Sequence, residues 1–130
     1  MGDELSPGRR GEVSLEVTEA VTAERVGSGG VPVLATPEVV SLVERAAVAA
    51  LEGALPEGST TVGSRIELDH LAPTPVGGRA SAVAILEAVD GRRLTFSFEV
   101  TDGMGVVARG SHLRAVVDRE RFLAAAEERR

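Results

Sequence analysis

Apolar and polar positions alternate from Gly11 onward, with Val13, Leu15 and Val17 on one face and Val21 resuming after Glu19. A period of two predicts a strand. The run GSGG at 27–30 breaks regular structure, and the period then changes. Thr36-Pro37-Glu38 reads as a helix start: Thr36 as N-cap, Pro37 in the first helical position, Glu38 facing the positive end of the helix dipole. The helix runs on through VVSLVERAAVAALE to Gly53, with Pro56 beyond. Its polar residues Glu38, Ser41, Arg45 and Glu52 make one narrow stripe, so it is expected to be wrapped on most sides.

Four strand-like segments follow. In TVGSRIELDHLA the even positions Val62, Ser64, Ile66, Leu68, His70 and Ala72 are expected inside, and Arg65, Glu67 and Asp69 outside. A second strand is expected from about Arg79 to Val89, turned by Asp90-Gly91. The third turns Leu94, Phe96, Phe98 and Val100 inward, and after DGMG the fourth covers Val106 to Val117. Asp118 is expected to cap a short closing helix. One apolar helix against a curved antiparallel sheet is an α+β arrangement. Residues 1–11, rich in charge, Gly and Pro, read as a flexible tail, leaving 12–130 as a single domain.

Composition narrows the function. The chain has 130 residues, no cysteine and a formal net charge of -6, which excludes disulfides, thiolate metal sites and a Cys nucleophile. It contains no lysine, and its only aromatics are Phe96, Phe98 and Phe122, a poor composition for gripping nucleic acid. No run is long enough to span a bilayer, and the first residues lack the apolar segment of a signal peptide; a cytoplasmic, membrane-free protein is the expectation. The core must be built from Val, Leu, Ile and many alanines, which bury little area each, so a second subunit could add burial. The glycines at 27–30 lack the Lys-Ser or Lys-Thr of a phosphate loop and read as a lid or connector.

Three polar residues do not fit a bland core. Glu44 stands about 90° around the helix from the polar stripe, among Val40, Ala47, Val48 and Leu51. It either pairs with an arginine, snorkels at an element edge, or sits desolvated with a raised pKa. His70 has the parity of Ile66 and Leu68 and so faces the helix; an inward His and an inward Glu on packed elements can share acid and base duties. Capping alone accounts for Thr36, but the N–H groups of a helix N-terminus could also stabilise an oxyanion there. Thr36 and Glu44 are eight residues apart, which a straight helix spreads over about 12 Å. His112 and Arg114 share a face of the last strand, where a single His reads as structural or edge-facing. Two histidines forty-two residues apart, with no Asp or Cys at ligand spacing, make a weak metal case, and no metal is expected.

The segments VLATPEVVSLVERAAVAAL, TVGSRIELDHLAPTPVG, VDGRRLTFSFEVTD and GSHLRAVVDRERF resemble the fluoroacetyl-CoA thioesterase-like branch of the hot-dog superfamily over roughly residues 12–124. The most specific features are Ala-Thr-Pro at the helix start, Glu eight residues after the Thr, and His twenty-six residues after the Glu. The resemblance implies a hot-dog fold, in which a curved five-stranded antiparallel sheet wraps one long helix. It also implies a homodimer with sites at the subunit interface, and hydrolysis of a small acyl-CoA. Thr36, Glu44 and His70 would be the catalytic triad, Gly63 and Arg114 would bind substrate, and no cofactor would be needed beyond the CoA of the substrate itself. Gly27 and Gly30 stand where the resemblance would place the lid phenylalanines of the fluoroacetyl-specific enzyme, so a related thioesterase not dedicated to fluoroacetyl-CoA is expected. Two alternatives remain: an acyl-CoA-binding module without catalysis, and an enoyl-CoA hydratase. The hydratase is the weaker, because neighbours Asp69 and His70 must point to opposite faces of a strand.

Overall fold

The computed structural model describes residues 5–130. Five strands form one antiparallel sheet in the order β1-β3-β4-β5-β2: β1 Arg10–Glu16, β2 Ser59–His70, β3 Arg79–Asp90, β4 Arg93–Asp102 and β5 Gly105–Asp118. A short helix α1, Ala23–Val26, precedes the long helix α2, Thr36–Ala50, and α3, Arg119–Glu127, closes the chain. The sheet curls around α2, which is the hot-dog arrangement that the resemblance implies. No helix among the described residues is long and apolar enough to cross a membrane.

The core explains where α2 sits. Val39, Leu42, Val43, Ala46, Ala47 and Ala50 of the helix are buried, and on β3 they meet Ala80, Ala82 and Ala84, which are fully buried. Such small side chains let helix and sheet approach closely. At Gly11 of β1 the approach is closest, since a Cβ there would stand 2.1 Å from the Ala46 carbonyl oxygen. The helix therefore lies mainly over β1 and β3. The larger Leu94, Phe96 and Phe98 of β4 fill the core beside it. On the side toward edge strand β2 the helix stays partly open: Val48 is 52% exposed and the side chain of Glu44 43%. The expectation of a helix wrapped on most sides fails along this stripe.

Two other expectations change. The tail expected over 1–11 is laid onto the domain from Leu5, which is 4% exposed, and the Gly8 N–H donates to the Leu86 carbonyl. Residues 1–4 of that expected tail lie outside the described residues. In β2 the register shifts between Gly63 and Arg65, so Gly63 pairs with Arg114 while Ile66 pairs with His112. A bulge inserts one residue and reverses the parity beyond it. Thr61 and Gly63 therefore share the inner face with Ile66, Leu68 and His70, and the expected inner positions Val62 and Ser64 do not.

Candidate active site

Thr36 begins α2, but it does not cap it. Ala35 occupies the N-cap position with extended backbone and no side-chain cap, and Thr36 is already helical. The hydroxyl freed from capping lies 2.7 Å from Nδ1 of His70, the last residue of β2. The capping account of Thr36 is thus replaced by a side-chain pair between α2 and β2. His70 Nε2 is buried and has no hydrogen-bond partner among the described residues. A buried polar atom left unpaired calls for a partner that the single chain does not supply.

The segment before Thr36 is fastened on both sides. Ala35 N–H donates to the Val21 carbonyl at 2.9 Å, and Leu34 N–H to the Thr74 carbonyl at 2.9 Å. Thr74, itself buried, donates its hydroxyl to Asp102 Oδ2 at 2.8 Å. The second oxygen of Asp102 accepts from the Met104 N–H at 2.8 Å. These two hydrogen bonds, led by that from Met104, hold the Asp102 carboxyl below its ordinary pKa of 3.8. Two turns of α2 further on, a second cluster forms around Arg114, whose side chain is 7% exposed. Its Nη1 donates to Glu44 Oε2 at 3.2 Å and to His112 Nε2 at 3.1 Å, while Nε and Nη2 donate to the hydroxyl and carbonyl of Thr61 at 3.0 and 3.2 Å. His112, 2% exposed, closes the cluster with Nδ1 2.8 Å from the Arg65 carbonyl oxygen.

Gly63 belongs to this second cluster for lack of a side chain. A Cβ there would stand 2.5 Å from Glu44 Oε2, 3.3 Å from the His112 ring and 3.4 Å from Arg114 Nη1. An open depression of about 350 Å³ is lined by Glu44, Gly63, Ser64, Arg65, Ile66 and His112. A hollow of about 710 Å³ lies elsewhere, among Val83, Ile85, Glu99 and Arg109, and touches none of these groups. Among the described residues no group of three or more His, Cys, Asp or Glu could hold a metal.

Within one chain, then, the five site residues expected from sequence fall into two sets. Thr36 meets His70; Glu44 meets Arg114 and Gly63, and its carboxylate is bonded to neither Thr36 nor His70. The arginine partner foreseen as one fate for Glu44 is Arg114. The residue that sequence reasoning passed over is His112, and its signal was the face it shares with Arg114. The arrangement offers a hydroxyl on an imidazole at a helix N-terminus, a pairing that can activate an oxygen nucleophile.

The comparisons with known proteins agree with the fold. The family model described as fluoroacetyl-CoA-specific thioesterase matches residues 17–120. A fluoroacetyl-CoA thioesterase of Streptantibioticus cattleyicolor is 38% identical over 92 residues, which are 71% of this chain and 66% of that enzyme's length. A solved structure of the fluoroacetyl-CoA thioesterase FlK superposes with a TM-score of 0.91 at 30% identity, covering 97% of this chain and 98% of that one. A variant of FlK in complex with acetyl-CoA superposes with a TM-score of 0.90 at 29% identity over 96% of this chain and 98% of that one. A hot-dog-like protein from Thermanaerovibrio acidaminovorans superposes with a TM-score of 0.89 at 26% identity, over 98% and 94% of the two chains.

Proposed function

The chain belongs to the fluoroacetyl-CoA-specific thioesterase family, a family of thioester hydrolases, and from that premise we propose that it hydrolyses a small acyl-CoA to the free acid and CoA. The observation that carries the reading is the hydrogen bond between Thr36 and His70 at the start of α2. In this reading His70 Nδ1 accepts the Thr36 proton, so its own proton sits on the unpartnered Nε2. The thioester carbonyl lies at the helix N-terminus, where N–H groups and the dipole stabilise the developing oxyanion. Attack by an oxygen nucleophile opens the C–S bond, the thiolate leaves as CoA after taking a proton, and water supplies the second oxygen of the acid. Water and the substrate suffice for this balance, with no separate cofactor.

Glu44 is the third catalytic residue in this proposal, with Arg114 and Gly63 shaping the substrate side of the site. Eight residues along one helix, about 12 Å, separate Glu44 from Thr36. A homodimer resolves the distance: the open side of α2 and edge strand β2 face a second copy, and Glu44 of one subunit serves the Thr36–His70 pair of the other. The cytoplasm is the proposed location, consistent with free acyl-CoA as substrate. Gly27 and Gly30 place no bulky side chain before the site, which favours a broader acyl range than fluoroacetyl alone.

Release of free thiol from acyl-CoAs of increasing length and polarity, acetyl-CoA and fluoroacetyl-CoA among them, tests the reading. Turnover is expected, and Thr36→Ala, Glu44→Ala and His70→Ala should each lower kcat by about 100- to 10,000-fold. Saturable binding without thiol release would leave only the binding module. Parent rates in all three variants would remove the triad.

A further inference from the structure

The hydrogen bonds of His112 fix its protonation from both sides. A carbonyl oxygen only accepts, so the Nδ1 that faces Arg65 carries the proton; a guanidinium only donates, so the Nε2 that faces Arg114 is a bare acceptor. We propose that His112 is a positioning residue of this site, a neutral imidazole that clamps the Arg114 guanidinium in the orientation that holds the Glu44 carboxylate. The proposal rests on the reading that Glu44 serves thioester hydrolysis, and it adds a residue and a proton to that reading.

The surroundings of His112 are those of a clamp rather than of filler. From β5 comes Arg114, from α2 Glu44, and from β2 the Arg65 carbonyl with Gly63 opening the space beside the ring. From β4 comes Phe96, its ring centroid 6.2 Å away. The Arg65 side chain itself pairs with Glu67 at the surface. One N–H of Arg114 Nη1 goes to His112 and the other to Glu44, so the imidazole sets the rotation of the group that bonds the carboxylate. Protonation of His112 would turn the Nε2 acceptor into a donor and set two cations 3.1 Å apart. Burial holds the imidazole below its ordinary 6.5, and the Arg114 charge acts in the same direction, against the Arg65 carbonyl and Glu44. The clamp therefore holds at neutral pH and releases on the acid side.

Two substitutions separate the two ends of the ring. His112→Gln places an amide oxygen near the Nε2 position, keeps an acceptor for Arg114 and cannot be protonated. His112→Asn places its amide near Nδ1, keeps the bond to the Arg65 carbonyl and leaves Arg114 without its acceptor. With the acyl-CoA turned over fastest by the parent, His112→Asn should lose about 10- to 100-fold in kcat/KM. His112→Gln should stay within a few-fold of the parent at neutral pH and show a shallower acid limb. Equal losses in both variants, parent behaviour in His112→Asn, or an unchanged acid limb in His112→Gln would overturn the proposal.

Nitrogen-15 spectra of the imidazoles decide the tautomer without any turnover. A proton on Nδ1 of His112 and none on Nε2 at pH 7, with titration below 6.5, is expected; a proton on Nε2 sinks the clamp even in an active enzyme. If the parent releases no thiol from any acyl-CoA, the hydrolytic reading fails, while these spectra still judge His112.

Discussion

At the N-terminus of α2, Thr36 is exposed, makes one side-chain hydrogen bond, to His70, and leaves that ring's Nε2 unpaired. In the middle of the same helix, Glu44 meets an arginine with four of its five N–H groups committed, to Glu44, to His112 and twice to Thr61. One region keeps polar capacity in reserve and the other has spent nearly all of it on holding geometry. Reacting groups need unfilled valences for substrate, whereas positioning groups need filled ones. On the proposed reading, the first region holds the hydroxyl and imidazole that react, and the second region spends its hydrogen bonds on aiming the Glu44 carboxylate, although both lie on one helix.

The largest expected effect comes from joining the two regions across subunits. Thr36→Ala and Glu44→Ala homodimers should each be nearly inactive. Mixed and allowed to exchange subunits, half of the dimers become hybrids, and each hybrid holds one site in which Thr36 and Glu44 are both intact. Activity should rise to about one quarter of the parent's, a statistical yield for a site shared between two chains. Thiol release that stays at the level of the separate variants, with subunit exchange verified by mass, would mean that each chain supplies its own triad.

A smaller effect separates the regions by stability. Arg114→Leu strips partners from the buried Nε2 of His112 and from Thr61, and it frees Glu44, whose exposed side chain water can take over. About 2–3 kcal/mol of folding stability should be lost, read by chemical denaturation. Thr36→Ala, at an exposed position with one hydrogen bond, should lose about 1 kcal/mol or less while costing far more activity. If the two variants lose equal stability, the division between a reserved region and a committed one does not hold.

Much of this was legible in the sequence because it rests on periodicity. The alternation of β1, β4 and β5, the Asp90-Gly91 turn, the run of α2 and the cap at Asp118, which accepts from the Arg121 N–H, all follow from local patterns. What escaped depends on long-range geometry. The bulge has one local sign, Gly63 inside a strand pattern, but the shift it makes, which moves Thr61 and Gly63 to the inner face, is set by the pairing with β5. Thr36 has the composition of a cap, and only the arrival of His70 from thirty-four residues away gives its hydroxyl another use. His112 read as structural because the Arg65 carbonyl, which fixes its ring against the same-face Arg114, becomes its neighbour only when β2 pairs with β5. Leu5 is buried although its neighbours in sequence are those of a tail.

The smallest effect expected concerns the fastening of the reserved region. Asp102 accepts from the Thr74 hydroxyl, Thr74 accepts from the Leu34 N–H, and Leu34 stands two residues before Thr36. Because the folded carboxyl is held below its ordinary 3.8, the unfolded chain binds the proton more readily. The contribution of Asp102 is therefore complete above that value and is lost as pH falls through it toward the lower folded pKa. Asp102→Asn loses the charged acceptor at every pH, so at pH 7 it should be less stable than the parent by about 1 kcal/mol. The stability gap between the two proteins should begin to close as pH falls through 3.8 and go on closing toward the lower folded pKa, where the parent's own carboxyl takes up its proton. A gap that stays constant from pH 7 to pH 3 would mean that the carboxylate charge does not tie the β4–β5 turn to the start of α2.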